Sequence, residues 1–261
     1  MQFDELLTAA GSGELAFPAS WAQGRATFGG LVAAVVARQM QQAVTGDRAM
    51  RALQISFVGP VAADEPVQIE VEVLREGKAV SQVQGRMLQQ GEVRLAMLGS
   101  FGGSRASAVA VAGDRAPEVA SANSLKALPH LPGITPDFIQ HLDMRWTFGG
   151  LPFSGSDSRE MGGWMRFREQ PEALTDAHLV ALVDAWPPAL LPHLKQPAPA
   201  SSLSWTLEFV YPRPTLAPDD WLLYRASIDQ AAAGYGHTQA QIWSASGELV
   251  ALSRQTVTVF G

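Results

Sequence analysis

One supersecondary pattern occurs twice in this chain, and that repetition limits the possible folds more than any other feature. Gly29 to Thr45 reads as a helix that is apolar on nearly every side through Leu31-Val32-Ala33-Ala34-Val35-Val36, so it belongs inside the protein. Strand patterns follow at Leu53 to Val58, Val67 to Val73, Val80 to Leu88 and Val93 to Phe101, with turns at Glu76-Gly77 and Gln90-Gly91. The order then restarts. Leu142 to Thr147 and Trp164 to Phe167 read as strands, Thr175-Asp176 offers an N-cap, and a helix is expected from Ala177 to Trp186 before Pro187-Pro188. Strands are expected again at Leu203 to Tyr211, Trp221 to Ile228, Thr238 to Ser244 and Leu249 to Phe260.

Direct comparison supports the repeat. Leu31 to Val36 matches Leu179 to Asp184 at an offset of 148, Phe57 to Pro60 matches Phe209 to Pro212 at 152, and Gly91-Glu92-Val93 matches Gly247-Glu248-Leu249 at 156. Small loop insertions produce such a drift. A competing match, Arg25 to Gly30 on Arg145 to Gly150 at offset 120, would lay the first helix on Pro152-Phe153-Ser154-Gly155-Ser156, which cannot be helical. The expected division is therefore a first repeat over residues 1–105, a Ser-, Ala-, Gly- and Pro-rich linker over 106–135 with a short helix near Ser124 to Leu128, and a second repeat over 136–261.

The places where the repeats differ carry the chemistry. Asp184 stands opposite Val36, Ser202 opposite Met50 and Gln255 opposite Gly99, each a polar group where the first repeat has none. A carboxylate in the run Leu-Val-Ala-Leu-Val-Asp184-Ala-Trp costs several kcal/mol unless it is hydrogen-bonded or protonated. The plain alternative is an Asp on the helix's wet edge or one tying down the Pro-Pro turn. Gln255 is in phase with Val257 and Val259 and should point inward, either to a carboxylate or to backbone partners. Ser202 is in phase with Ser204, Thr206 and Glu208, so a solvated strand face explains it equally well. Gly29-Gly30 at the first helix start serve either close packing or the presentation of N–H groups to an oxyanion.

Composition removes several other chemistries. The chain has no cysteine, which excludes disulfides and thiolate nucleophiles, and its five histidines fall at no metal-ligand spacing, so no metal is expected. A formal net charge of −6 gives no global attraction to nucleic acid or to an anionic membrane, and neither is an expected partner. The acidic opening Met1-Gln2-Phe3-Asp4-Glu5 lacks the features of a secretory leader, and no apolar stretch approaches the ~18 residues of a membrane span, so a cytoplasmic location is expected.

A buried helix followed by a strand meander, twice over, is an α+β plan: a double hot-dog, each curved antiparallel sheet wrapped around its central helix, the two sheets packed on each other. With Phe28-Gly29-Gly30, the Leu-Val-Asp184 helix, Trp221-Leu222-Leu223-Tyr224 and the strand ending in Gln255, the chain resembles the acyl-CoA thioesterase II family over nearly its whole length. The resemblance implies hydrolysis of acyl-CoA without a cofactor. It places the family's catalytic Asp, Thr and Gln on Asp184, Ser202 and Gln255, the Thr having become a Ser. Gly30 and Gly29 are then the oxyanion donors, and Arg25 and Phe28 are candidates for substrate contact. Homo-oligomers are common in the family, so self-association is an expectation by analogy. The rival readings are a non-catalytic acyl-CoA or lipid-binding protein and an enoyl-CoA hydratase; the latter wants a neighbouring Asp and His, which Phe28-Gly29-Gly30 lacks.

Overall fold

The computed structural model describes residues 1–13 and 15–260. Helix α1 (Phe3–Ala9), the two-residue strands β1 (Leu15–Ala16), β2 (Ala22–Gln23) and β3 (Ala26–Thr27), and helix α2 (Gly29–Gln42) open the chain. Strands β4 (Ala49–Phe57), β5 (Pro66–Glu76), β6 (Val80–Gln89) and β7 (Glu92–Gly102) complete the first half. The second half comprises β8 (Leu142–Phe148), β9 (Glu160–Phe167), α3 (Asp176–Val183), β10 (Ala200–Phe209), β11 (Leu222–Ala232), β12 (Tyr235–Ser244) and β13 (Leu249–Val259).

Apart from the β2–β3 hairpin, every strand joins one antiparallel sheet of eleven, in the order β1-β5-β6-β7-β4-β10-β13-β12-β11-β9-β8. Read outward from the middle, β4 matches β10, β7 matches β13, β6 matches β12 and β5 matches β11. The sequence repeat is therefore a local twofold through the β4–β10 seam. The halves meet edge to edge there, from Ser56↔Ser204 to Ala52↔Glu208, rather than face to face as expected. Each half would otherwise end in a row of unpaired backbone groups, and the ladder satisfies both rows at once.

Helices α2 and α3 pack against each other. Leu31 and Ala33 to Ala37 are fully enclosed, as the all-round apolar pattern requires. Helix α3 begins where Thr175 predicts, with the Thr175 N–H donating to His178 Nδ1 at 3.3 Å. It ends at Val183, three residues before the expected end. Pro188 disfavours helical backbone at Pro187, and neither proline can donate to the preceding turn.

The segment expected to be a linker carries no strand, and the helix expected at Ser124 to Leu128 is absent: only a 3₁₀ turn forms at Ala122–Ser124, with Leu125 already extended. The segment is fastened across the face of the second half-sheet. Trp243 Nε1 donates to Asp114 O at 2.9 Å, Trp164 Nε1 to Ala120 O at 2.8 Å, and Arg145 Nη1 to Ala122 O at 2.7 Å. Beneath it Ala122, Trp164, Leu223 and Trp243 form a second small core. Those large outward side chains need cover, and their indole N–H groups find it in backbone carbonyls.

Candidate active site at the helix junction

The end of α3 and the start of α2 meet so closely that only glycine fits at position 30. A Cβ on Gly30 would lie 2.5 Å from Phe28 Cζ, 2.9 Å from Ala181 O and 2.9 Å from Asp184 Cβ. A Cβ on Gly29 would lie 3.0 Å from Asp184 Oδ2 and 3.0 Å from Phe57 Cε1. Close packing is thus a strict requirement at Gly30, whereas at Gly29 the neighbouring side chains need give by only a few tenths of an ångström.

Asp184 is the C-cap of α3, and its half-buried side chain reaches the first turn of α2. Gln255 Nε2 donates to Asp184 Oδ1 at 3.0 Å, and Ser202 Oγ donates to Gln255 Oε1 at 3.4 Å, a long contact. The structure therefore brings the three divergent polar residues into one hydroxyl-to-amide-to-carboxylate line. The Gly30 N–H also donates to the Asp184 carboxylate. This is the N–H expected to face an oxyanion.

Ser202 reaches Gln255 because of an irregularity in β10. The register with β13 shifts between Ser202 and Ser204, leaving Leu203 as the extra, exposed residue of a bulge. Beyond the bulge Trp205, Leu207 and Phe209 point inward and are buried. Ser202 shares their face, so the solvated-face reading is overturned. Gln255 points inward as its phase predicts.

Burial pushes the Asp184 carboxyl up to about 7, against the opposing hydrogen bonds from Gln255 and Gly30. The same burial, with the Asp184 charge added, holds the Tyr224 phenol above its usual range. Tyr224, Phe57 and Trp186 are neighbours of the site that sequence reasoning missed. Position was the available signal for two of them: Trp186 lies two residues past Asp184, and Phe57 opens the Phe-Val-Gly-Pro segment that matches Phe209 to Pro212 in the second repeat.

Of the expected substrate contacts, Phe28 is fully buried and stacked on Phe138 at 4.1 Å and 4°, where it backs Gly30. Arg25 is exposed at the tip of the β2–β3 hairpin. The counterpart positions in the first half form solid core: Val36 and Met50 are buried, and a Cβ on Gly99 would meet Met40 Cε at 2.8 Å. Among the described residues, no three His, Asp or Glu side chains gather as a metal site, and no helix is long and apolar enough to cross a membrane.

The raised carboxyl has a consequence for stability. Native Asp184 holds its proton to a higher pH than the unfolded chain does, so its contribution is intact below the ordinary value of 3.8 and is lost as pH rises through about 7. Asn cannot ionise. The unfolding free energy of Asp184→Asn should therefore gain on that of the wild type by about 2–3 kcal/mol between pH 5 and pH 8. Urea unfolding at the two pH values checks this, and a constant gap would mean the carboxyl titrates normally.

The family model for the acyl-CoA thioesterase C-terminal domain matches residues 112–259, more than half of the chain. The model for the N-terminal domain matches residues 17–117. The chain belongs to the acyl-CoA thioesterase family. No curated protein is similar enough to match.

Solved structures share the fold. A conserved hot-dog protein of unknown function from Alicyclobacillus acidocaldarius superposes with a TM-score of 0.81 at 23% identity, over 95% of this chain and 92% of that one. The tesB protein of Mycobacterium avium subs paratuberculosis gives 0.78 at 18% over the whole of both chains. The acyl-CoA thioesterase II TesB2 of Mycobacterium marinum gives 0.69 at 24% over 90% of each. At these identities the likeness is one of fold alone: this chain has a hot-dog fold.

Proposed function

We propose that this chain is an acyl-CoA thioesterase built as two fused hot-dog repeats, residues 1–105 and 136–261 joined by 106–135, with one hydrolytic site at the helix junction. The observation that carries the reading is Asp184: a carboxylate with its pKa pushed up to about 7, held by an amide at 3.0 Å, on a chain of this family. A base is most useful when its pKa lies near working pH.

The reaction is RCO–SCoA + H₂O → RCOOH + CoASH. Asp184 takes a proton from water as the oxygen attacks the thioester carbon, and returns it to the departing thiolate. Gln255 orients the carboxylate and, with Ser202, holds the water. The N–H groups of Gly29 and Gly30, at the positive end of α2, polarise the carbonyl oxygen as charge develops on it. Gly30 exchanges its bond to Asp184 for one to the substrate. Arg25 at the hairpin tip meets the CoA phosphates, while Phe28 acts from behind Gly30.

Thiol release from a panel of acyl-CoAs tests the reading. Turnover with kcat/KM rising with pH to a plateau above about 7 is expected. Binding of acyl-CoA without any turnover would replace it with the non-catalytic binding reading. Gln255→Leu removes a donor that favours the charged carboxylate. It should lower kcat/KM and move the rise toward alkaline pH by about one unit; an unmoved profile would separate Gln255 from the base.

A further inference from the structure

The contrast between the halves extends one strand beyond Gln255. In the first half Gly99 of β7 stands directly across from Val83 of β6. In the second half the matching pair is Gln255 of β13 and Thr238 of β12. Val83 is wholly enclosed core, so Thr238 is a fourth position at which the second half carries a polar group and the first does not.

Residues directly opposed in an antiparallel ladder project to the same face, with their Cβ atoms about 5 Å apart. Gln255 points inward to Asp184, so Thr238 lies on the inner face beside that amide. Its other ladder partner is Ile228, and its neighbours along the strand on that face are Gly236 and Ala240. None of these has a polar side chain. A buried hydroxyl normally has a partner, and Ser253 shows the ordinary case. It is polar where the first half has Met97, and it accepts from Trp205 Nε1 at 2.9 Å. Thr238 is buried, at 6% exposure, but its hydroxyl bonds to no described group. Its Oγ1 is nevertheless not sealed off, so water reaches it.

The Gln255 amide has the complementary need. One N–H goes to Asp184 Oδ1, and the carbonyl takes Ser202 Oγ from the β10 side. The second N–H is left without an acceptor among the described residues.

We propose that Thr238 is a further residue of the hydrolytic site, whose hydroxyl holds the attacking water together with the free N–H of Gln255. This rests on the hydrolytic reading above. The water accepts from Gln255 Nε2 and donates one hydrogen bond to Thr238 Oγ1 and the other to the Asp184 carboxylate. Its oxygen keeps a lone pair for the thioester carbon, and the proton passes to Asp184 as the C–O bond forms. Ser202 flanks the amide on the β10 side and Thr238 on the β12 side.

A crystal structure of the wild type and the kinetics of Thr238 variants test this. The crystal should show a water within about 3.2 Å of both Thr238 Oγ1 and Gln255 Nε2, and Thr238→Val should lose it. Valine keeps the shape, and Val83 fills the matching position of the first half. Thr238→Val should lower kcat on acyl-CoA at least about tenfold with KM unchanged, while the urea midpoint holds or rises. Thr238→Ser keeps the hydroxyl and should stay within about threefold of wild type. If Thr238→Val does not fold, Thr238→Ala replaces it.

A wild-type crystal with no water between the two groups, a folded Thr238→Val with wild-type kcat, or a Thr238→Ser as impaired as Thr238→Val would overturn the proposal. The crystal needs no turnover, so the two readings fail separately. A bridging water in a wild type that hydrolyses no acyl-CoA would sink hydrolysis and leave the water site. Turnover without that water would sink the role of Thr238 alone.

Discussion

Asp184→Asn is expected to lower thiol release from acyl-CoA by at least about 100-fold, while the protein stays folded and becomes more resistant to urea at pH 8. Asn keeps the shape and can still bond to Gln255, but it cannot take a proton from water. The combination distinguishes a catalytic loss from a structural one. Damage to the fold would lower activity and stability together, whereas removing a buried charge lowers one and raises the other. A folded variant with unchanged turnover would take Asp184 out of the mechanism. Burst and single-turnover measurements on the wild type would then show whether another group, or a covalent route, carries the reaction.

The second large effect is expected at Gly30. Its would-be Cβ lies 2.5 Å from the ring of Phe28, which is enclosed and stacked on Phe138, and 2.9 Å from the backbone oxygen of Ala181. None of these can yield cheaply, so Gly30→Ala must push α2 and α3 apart. Overpacking of this kind costs about 1–3 kcal/mol, more than the roughly 1 kcal/mol that Ala gains over Gly in a helix. A lower melting temperature and a loss of at least about 100-fold in turnover are expected, since both the N–H and the carboxylate move. Gly29→Ala is the contrast. Its Cβ meets only side-chain atoms, Asp184 Oδ2 and Phe57 Cε1, both at 3.0 Å. Stability should change little there while turnover falls. Equal melting temperatures for the two variants would show that the helix junction is looser than its distances imply.

Much of this site could be read from the sequence because the repeat supplies its own control. Asp184 and Gln255 stood out against Val36 and Gly99, and strand phase correctly turned Gln255 inward. Ser202 defeated the same reasoning. A period of two assumes an unbroken ladder, and the extra residue at Leu203 reverses the phase without leaving any mark in hydrophobicity. The apolar run to Trp186 reads as helix three residues too far, because Pro188 disfavours helical backbone at Pro187 and α3 ends at Val183. Strands of two residues, such as β1 to β3, show no period at all. The fastening of residues 114–125 leaves no mark in their own sequence, for another reason. Their own composition says loop, and what holds them is Trp164, Leu223 and Trp243, far off in sequence.

The seam between β4 and β10 has one more consequence. Had the same ladder joined two separate copies of one repeat, the assembly would fall apart on dilution, and both of its sites would have to serve as catalyst and as core at once. Here both strands belong to one polypeptide, so the local concentration of each edge about the other is fixed by the tether and not by the amount of protein. Specific activity should then be independent of enzyme concentration as far as this join is concerned. The covalent link also releases the halves from identity. One junction could fill with Val36, Met50 and a glycine against Met40 and become ballast for the fold, while the other kept a costly buried carboxylate.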